Sequence, residues 1–272
     1  MISYDWKIRL RKDCNEFVKN NIPKRDYDFE VIYIAYPERI NGKIPPQIIT
    51  FVAKEMRKTI AKNPDEAMDF LSFIRKNKGA TGEKIFTIIM QKIMLLHPKK
   101  YSQMLTNLIF ETKNEKSLNK IFDNIIFPLM KKFPEKYIDK FFEWLLSSPS
   151  NILIENIFRI LNKYLKTNKG ISGEIFKKCE SLWNSDNQFV RDGNVLILKT
   201  LYKVDKKLYR EIYQNYQKTY NPNFIEILAS AVSENSEMIK NCIEKWTKSG
   251  NVKIKKSASV AKKNLTKIKK KK

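Results

Sequence analysis

Apolar residues recur every three to four positions along most of the chain, which is the spacing of one buried helix face. The alternation typical of a strand is confined to a short stretch near residues 31–35. The pattern predicts an all-α protein with helices at about 3–20, 45–62, 64–77, 82–96, 98–112, 115–132, 134–147, 151–166, 172–184, 187–203, 205–219, 221–232, 235–247 and 251–267. Start signals support several of these limits, such as Pro46 in a first turn and Asn221 before Pro222.

A short phrase recurs at a fixed distance along the chain. Pro-Lys-Lys-Tyr at 98–101 reappears 36 residues later as Pro-Glu-Lys-Tyr at 134–137, and a weaker copy, Asp-Lys-Lys-Leu, lies at 205–208. A period in the mid-thirties is too long for one helix and suits a pair of helices. The repeat therefore predicts a solenoid of stacked helical hairpins, a fold that offers an extended surface to a partner.

A second phrase supports this interpretation. Asn151, Asn187 and Asn251 each open the pattern Asn-x-x-(Ile or Val)-charged, which suits the start of an inner helix because asparagine is a good N-cap. A tryptophan closes the helix before each of them, at 144, 183 and 246. We interpret these tryptophans as core between repeats and not as platforms for stacking bases.

The charge balance adds a functional hint. Fifty-three basic residues against 29 acidic ones give a net charge of +24, and residues 253–272 contribute ten lysines and no acid. The other 252 residues still carry +14, so the body is basic as well, which favours a polyanionic partner such as nucleic acid. The alternative is a composition bias, since 44 of the cations are lysine. We predict a repeat domain at 1–252, with its last helix pair extending to about 267, and a flexible basic segment at 253–272.

Several classes of function lack support in the sequence. No run approaches 18 uncharged apolar residues, so we expect no membrane span. Cys14, Cys179 and Cys242 are far apart and odd in number, as expected of core thiols in a reducing compartment. With His97 as the one histidine, no metal site and no cofactor are predicted. We expect a monomer that is located in the cytoplasm. If the protein binds DNA, we expect it at the nucleoid or in the nucleus.

Five segments together resemble the DNA alkylation repair (AlkD-like) family of HEAT-like repeat proteins. They are a lysine-containing helix at 48–58, an Asp-Glu-Ala helix at 65–71, a glutamate-containing helix start at 82–86, and two Trp-x-x-Ser-x-Asn-like phrases at 144–151 and 183–191. The resemblance covers roughly residues 45–262. It implies a right-handed superhelical solenoid, an α-α superhelix of HEAT-like hairpins, that cradles duplex DNA in a basic concave groove.

Active members of that family excise positively charged alkylated bases, and the resemblance carries this expectation to one aspartate. Its position matches Asp123, which would stabilise the positive charge that develops on the sugar. The tryptophan expected four residues earlier is Asn119 here, and the expected arginine falls at Glu155 or Asn156. The second tryptophan phrase retains a basic residue, Arg191. An N-glycosylase for alkylated purines is thus one hypothesis.

The basic residues near the starts of inner helices are the candidates for phosphate contacts. They are Lys84, Lys120, Lys163, Arg191, Lys199, Lys255 and Lys256. Two functions remain open at this point besides catalysis. One is a protein that binds the phosphate backbone of double-stranded DNA, and the other is a non-catalytic scaffold for an acidic protein partner.

Overall fold

The structure is a computed structural model that describes residues 5–24, 26–34, 36, 38–147 and 149–269, except for the side chain of Lys269. Residues 270–272 of the predicted basic segment lie outside the described residues. The prediction of an all-α chain is confirmed, because the described residues form helices and no strand. Their one β-type pairing is an isolated bridge between Ile40 and Lys43.

The helices follow one another with short connections, and their limits lie within a few residues of the predicted ones. They are α1 (Trp6–Asn21), α2 (Pro46–Ile60), α3 (Met68–Asn77), α4 (Gly79–Leu96), α5 (Ser102–Glu111), α6 (Glu115–Ile121), α7 (Phe127–Lys132), α8 (Pro134–Leu146), α9 (Asn151–Leu165), α10 (Ser172–Glu180), α11 (Gln188–Val204), α12 (Lys206–Tyr216), α13 (Pro222–Ala231), α14 (Glu237–Thr247) and α15 (Val252–Lys269). A π-helical turn, Phe122–Ile126, joins α6 to α7 without a break.

The chain divides into two compact units, which we call unit 1 (Met1–Phe133) and unit 2 (Pro134–Lys272). In unit 1, α2 packs between α1 and α4, and α4 also contacts α3, α6 and α7. In unit 2, α9, α11, α13 and α15 pack one against the next and form a layer, which we call the inner layer. Each of these helices contacts the helix before it in the chain, and for α12 and α13 the Tyr213 hydroxyl donates to the carbonyl of Leu228 at 2.6 Å, so unit 2 is built from consecutive helical hairpins.

Side-chain hydrogen bonds connect residues about one repeat apart. In unit 1, Tyr101 donates to Asp65 at 2.6 Å and Arg75 donates to Thr112 at 2.8 Å, across 36 and 37 positions. In unit 2, Asn221 donates to Asn184 at 2.9 Å across 37 positions. The mid-thirties spacing of the sequence is therefore the spacing of neighbouring hairpins, and the prediction of stacked helical hairpins is confirmed within each unit.

Polar caps start the helices of the inner layer. The side chains of Asn187, Asn221 and Asn251 accept hydrogen bonds from the first backbone N–H groups of α11, α13 and α15. Ser150 does the same for α9, so the cap of that helix lies one residue before the predicted Asn151. Each cap supplies an acceptor for a helix terminus that would otherwise lack one.

Pro128 explains the π-helical turn. A proline inside a helix has no N–H for the carbonyl four residues earlier, and its ring collides with that carbonyl. The helix widens just before Pro128, and the N–H of Phe127 bonds to the carbonyl of Phe122, five residues back. The turn contains Asp123, so this candidate sits at a local irregularity of an otherwise continuous helix.

The tryptophans of unit 2 lie in the core, which confirms their interpretation as inter-repeat residues. Trp144, Trp183 and Trp246 are at most 4% exposed. The Trp183 ring contacts Phe176 in its own hairpin and Tyr216 and Phe224 in the next one. Such large apolar contacts between hairpins are what makes a helical stack cohesive.

The three cysteines are free thiols and all are buried, as the sequence predicted for core residues. Burial, together with the nearby carboxylates of Glu55 and Asp13, raises the pKa of Cys14 to about 12. Burial also raises the pKa of Cys179 and of Cys242. All three therefore remain protonated and unreactive while their helices stay packed.

The lysine-rich C-terminal segment is helical where it is described. Ile254, Ala258 and Ala261 of α15 are at most 3% exposed, and the helix packs against α13 and α14. The expectation of a flexible polycation from residue 253 is therefore corrected for residues 253–268, because an apolar stripe fixes them to unit 2. The predicted helix to about residue 267 is confirmed.

Candidate nucleic-acid interface

The candidate residues of unit 1 are engaged within the unit. The Lys84 ammonium donates to the carbonyl of Pro46 at 2.8 Å, and burial lowers its pKa. Lys120 forms an ion pair with Glu83, whose side chain is 15% exposed. Both bonds span about one repeat, so these lysines join neighbouring helices. Both lysines therefore have a structural role, and nothing in the sequence indicated which distant residues they would contact.

Asp123 is half-buried in the π-helical turn, on a helix that packs against α4. Lys120 lies one turn before it, and that lysine is paired with Glu83. The structure thus places two of the three unit 1 candidates on one helix. It assigns neither of them to an open cationic surface.

The Glu83–Lys120 ion pair is expected to make the stability of the fold depend on pH in the acidic range. Burial raises the pKa of Glu83, but hydrogen bonds from Lys120 and Ser117 and the charges of Lys120 and Arg75 outweigh it, so the pKa lies below its usual 4.5. A carboxylate with a lowered folded-state pKa stabilises the fold above the unfolded-state value, and this stability is lost as pH falls through the folded-state value. We expect unfolding in urea to show a loss of about 0.5 kcal/mol below pH 4.5 that is absent in Glu83→Gln. An identical pH dependence in both proteins would contradict this role.

Arg191 is also a structural residue. It is 15% exposed, donates to the carbonyl of Ser185 at 3.0 Å and to Gln188 at 2.6 Å, and lies 3.5 Å from Glu226 on α13. Glu226 in turn lies 3.0 Å from Lys253 on α15. This chain of charges links three successive helices of the inner layer. It leaves the Arg191 guanidinium little freedom to meet a phosphate.

Two helices of the inner layer, α9 and α11, separate their charges along their length. The N-terminal halves of α9 and α11 expose Glu155 and Asp192, whereas the C-terminal halves expose Lys163 and Lys199. This corrects the expectation that Lys163 and Lys199 lie near helix starts, because both lie in the second half of their helices. The order of the signs along both helices is the one that the helix dipole favours, with acids toward the N-terminus and bases toward the C-terminus.

Within the inner layer, as far as the structure describes it, α15 is the helix whose lysines are accompanied by no acidic residue. Seven of its 18 residues are lysine and none is acidic. Its buried stripe leaves more than half of the circumference to solvent, and that surface carries a set that we call the α15 lysine face: Lys255, Lys256, Lys262, Lys263 and Lys267. Their ammonium groups, and that of Lys199, have no ion pair or hydrogen bond among the described residues.

Two members of the predicted set, Lys255 and Lys256, belong to this face, while Lys262, Lys263 and Lys267 were missed as site residues. The signal was present in the sequence, because the last three follow the first two at seven and eleven residues, close to two and three helical turns. The expectation of a flexible segment concealed it. From Lys255 to Lys267 the helix rises about 18 Å, the axial length of about five DNA base pairs.

Other kinds of site find less support in the described part of the chain. No group of three histidine, cysteine, aspartate or glutamate side chains there could hold a metal ion. Among the same residues, no helix is both long and apolar enough to cross a bilayer. Comparison with known proteins gives no match to a family model, to a curated protein or to a solved structure.

Proposed function

We propose that this protein binds nucleic acid by its phosphate backbone, and that double-stranded DNA is its main partner. The observation that supports this most directly is the α15 lysine face. Elsewhere, lysines such as Lys58, Lys240 and Lys248 lie within 3.0 Å of a carboxylate three or four residues away. The face has five lysines on an ordered helix that contains no acidic residue, and none of the five forms an ion pair with a carboxylate that the structure describes.

Uncompensated like charges on a helix repel one another, so the face is stabilised when a polyanion supplies the missing negative charge. A regular polyanion suits a rigid array of cations better than a short acidic loop does, because several contacts form without additional ordering of the protein. The side chains reach outward from a helix whose inner side is packed, so they contact phosphates without disturbing the core. Lys199, in the same layer, adds a further cation.

The resemblance to the DNA alkylation repair family agrees with this proposal and supplies its biological setting, the maintenance of DNA. The proposed function does not include base excision. The cationic face lies in unit 2 and Asp123 lies in unit 1, packed in a helix that neighbours α4. Release of methylated purines from alkylated DNA by the natural protein, and its loss in Asp123→Asn, would add catalysis to the function.

The salt dependence of duplex binding tests the proposal. Six cations, the α15 lysine face and Lys199, predict that log affinity falls against log salt with a slope of about −5. Fluorescence anisotropy with a duplex of about 20 base pairs, from ~50 to ~200 mM salt, measures it. Absence of binding at the lower salt, or an affinity that does not change over this range, would reject the proposal. Tighter binding of polyglutamate than of DNA at equal charge would favour the scaffold for an acidic protein.

A further inference from the structure

A second feature of unit 2 lies beside the helix starts of α13 and α15. Residues 217–220 and residues 248–250 border a cavity of about 540 Å³. This volume is within the range of small-ligand sites. Trp246, Ile225 and Ile254 form its apolar part, and they belong to the packed core.

Tyr220 stands at this cavity with 85% of its surface exposed, the highest value among the large apolar side chains that the structure describes. Its ring has no aromatic or hydrogen-bond partner among the described residues. The loop that carries it is nevertheless ordered, because the Thr219 N–H donates to the carbonyl of Tyr216 at 3.0 Å. The Asn221 N–H donates to the Thr219 hydroxyl at 3.3 Å on the other side. An aromatic face is thus presented to solvent by a fixed backbone.

The charges around Tyr220 have one sign. Lys218, Lys245 and Lys248 border the cavity, and no acidic residue does so. Lys248 pairs with Glu244 at 2.6 Å, whereas Lys218 and Lys245 have no such partner in the described chain. The cavity therefore combines a stacking surface, an apolar floor and two uncompensated cations.

We propose that this cavity binds an unpaired nucleotide of a nucleic-acid strand, with its base stacked on Tyr220 and its phosphates beside Lys218 and Lys245. Base–aromatic stacking next to a cationic path is how proteins hold single strands without reading their sequence. A paired base is stacked inside the duplex and cannot stack on Tyr220. We therefore expect Tyr220 to contribute to the binding of single strands, gaps and frayed duplex ends. The inference rests on nucleic-acid binding by unit 2, and it adds a preference that the α15 lysine face does not provide.

The test compares one 12-nucleotide oligothymidylate with a blunt duplex at fixed salt. Tyr220→Ala is expected to weaken binding of the single strand by about fivefold to a hundredfold, because this is the affinity that one base stacked on an aromatic ring contributes. Tyr220→Phe keeps the ring and is expected to restore the affinity. Leu146→Ala is the matched control, because it truncates another exposed apolar side chain of unit 2, which is 73% exposed and lies outside the cavity.

A second variant tests the cations. Lys218→Gln with Lys245→Gln is expected to reduce the salt slope for the single strand by about 1.4, since each phosphate contact contributes about 0.7. Equal affinity of the natural protein and Tyr220→Ala for the single strand would overturn the inference. A Tyr220→Ala effect of equal size on the duplex would also overturn it. Duplex binding that fails while Tyr220-dependent binding of the single strand persists would instead reject the proposed duplex function alone.

Discussion

Replacing the five lysines of the α15 lysine face by glutamine is expected to lower duplex affinity by about a hundredfold or more at 100 mM salt, and to reduce the salt slope from about −5 to about −1. Each lost phosphate contact removes about 0.9 from the slope, because fewer counterions are released on binding. The helix itself should persist, since glutamine is a good helix former and Ile254, Ala258 and Ala261 are unchanged. Anisotropy titrations at several salt concentrations measure both quantities.

Two controls separate a local effect from net charge. Arginine at the same five positions keeps the charge and should retain the slope. A second variant removes the same number of charges from exposed lysines on other helices, namely Lys12, Lys54, Lys116, Lys207 and Lys240. It should retain at least most of the slope. If both five-glutamine variants lose affinity equally, binding depends on overall charge and the α15 lysine face is not the interface.

Gly193→Ala is expected to destabilise unit 2 by about 2 kcal/mol. Alanine in a helix normally gains about 1 kcal/mol over glycine. Here, a Cβ on Gly193 would lie closer than 3.0 Å to Cγ and Cδ2 of the Phe158 ring. That ring is 1% exposed on α9 and is enclosed by the core, so α9 and α11 must move apart. Overpacking of this kind costs typically 1–3 kcal/mol, and more when the neighbour is rigid.

Gly173→Ala is the matched control, because a Cβ there meets nothing within 4 Å on α10. It should be neutral or stabilising. Phe158→Leu in the Gly193→Ala background should recover part of the loss by making room for the added methyl group. Urea unfolding followed by tryptophan fluorescence reports mainly on unit 2, which holds three of the four tryptophans. Equal stability of Gly193→Ala and Gly173→Ala would show that the two helices tolerate separation.

Helices and hairpins were predictable because their causes are local. Apolar spacing and asparagine caps place α11 and α13 within one or two residues of their observed limits. Errors in the predicted helix limits arise where a contact with a distant residue decides where a helix begins. The helix α5 begins at Ser102 and not at Pro98, because residues 98–101 form turns that bring Tyr101 to Asp65.

The candidate site was predicted less well than the fold, for a physical reason. Lys84, Lys120 and Arg191 find partners about one repeat away, and such partners depend on how hairpins stack. Tyr220 was not singled out, because an exposed tyrosine and a buried one look alike in a helical pattern. The lysines of α15 were noticed for their number, but their helical spacing was not used, because the segment was expected to be flexible. The family resemblance and DNA binding stay predictions.

The three buried thiols allow local unfolding to be measured in the natural protein by chemical modification. Cys14 belongs to unit 1, whereas Cys179 and Cys242 belong to unit 2. A maleimide reaches each sulfur only after the surrounding helices separate and the thiol can ionise, so modification tracks the opening of that region. Mass spectrometry of the modified peptides then distinguishes melting of one half of the chain from melting of the other, without an engineered label.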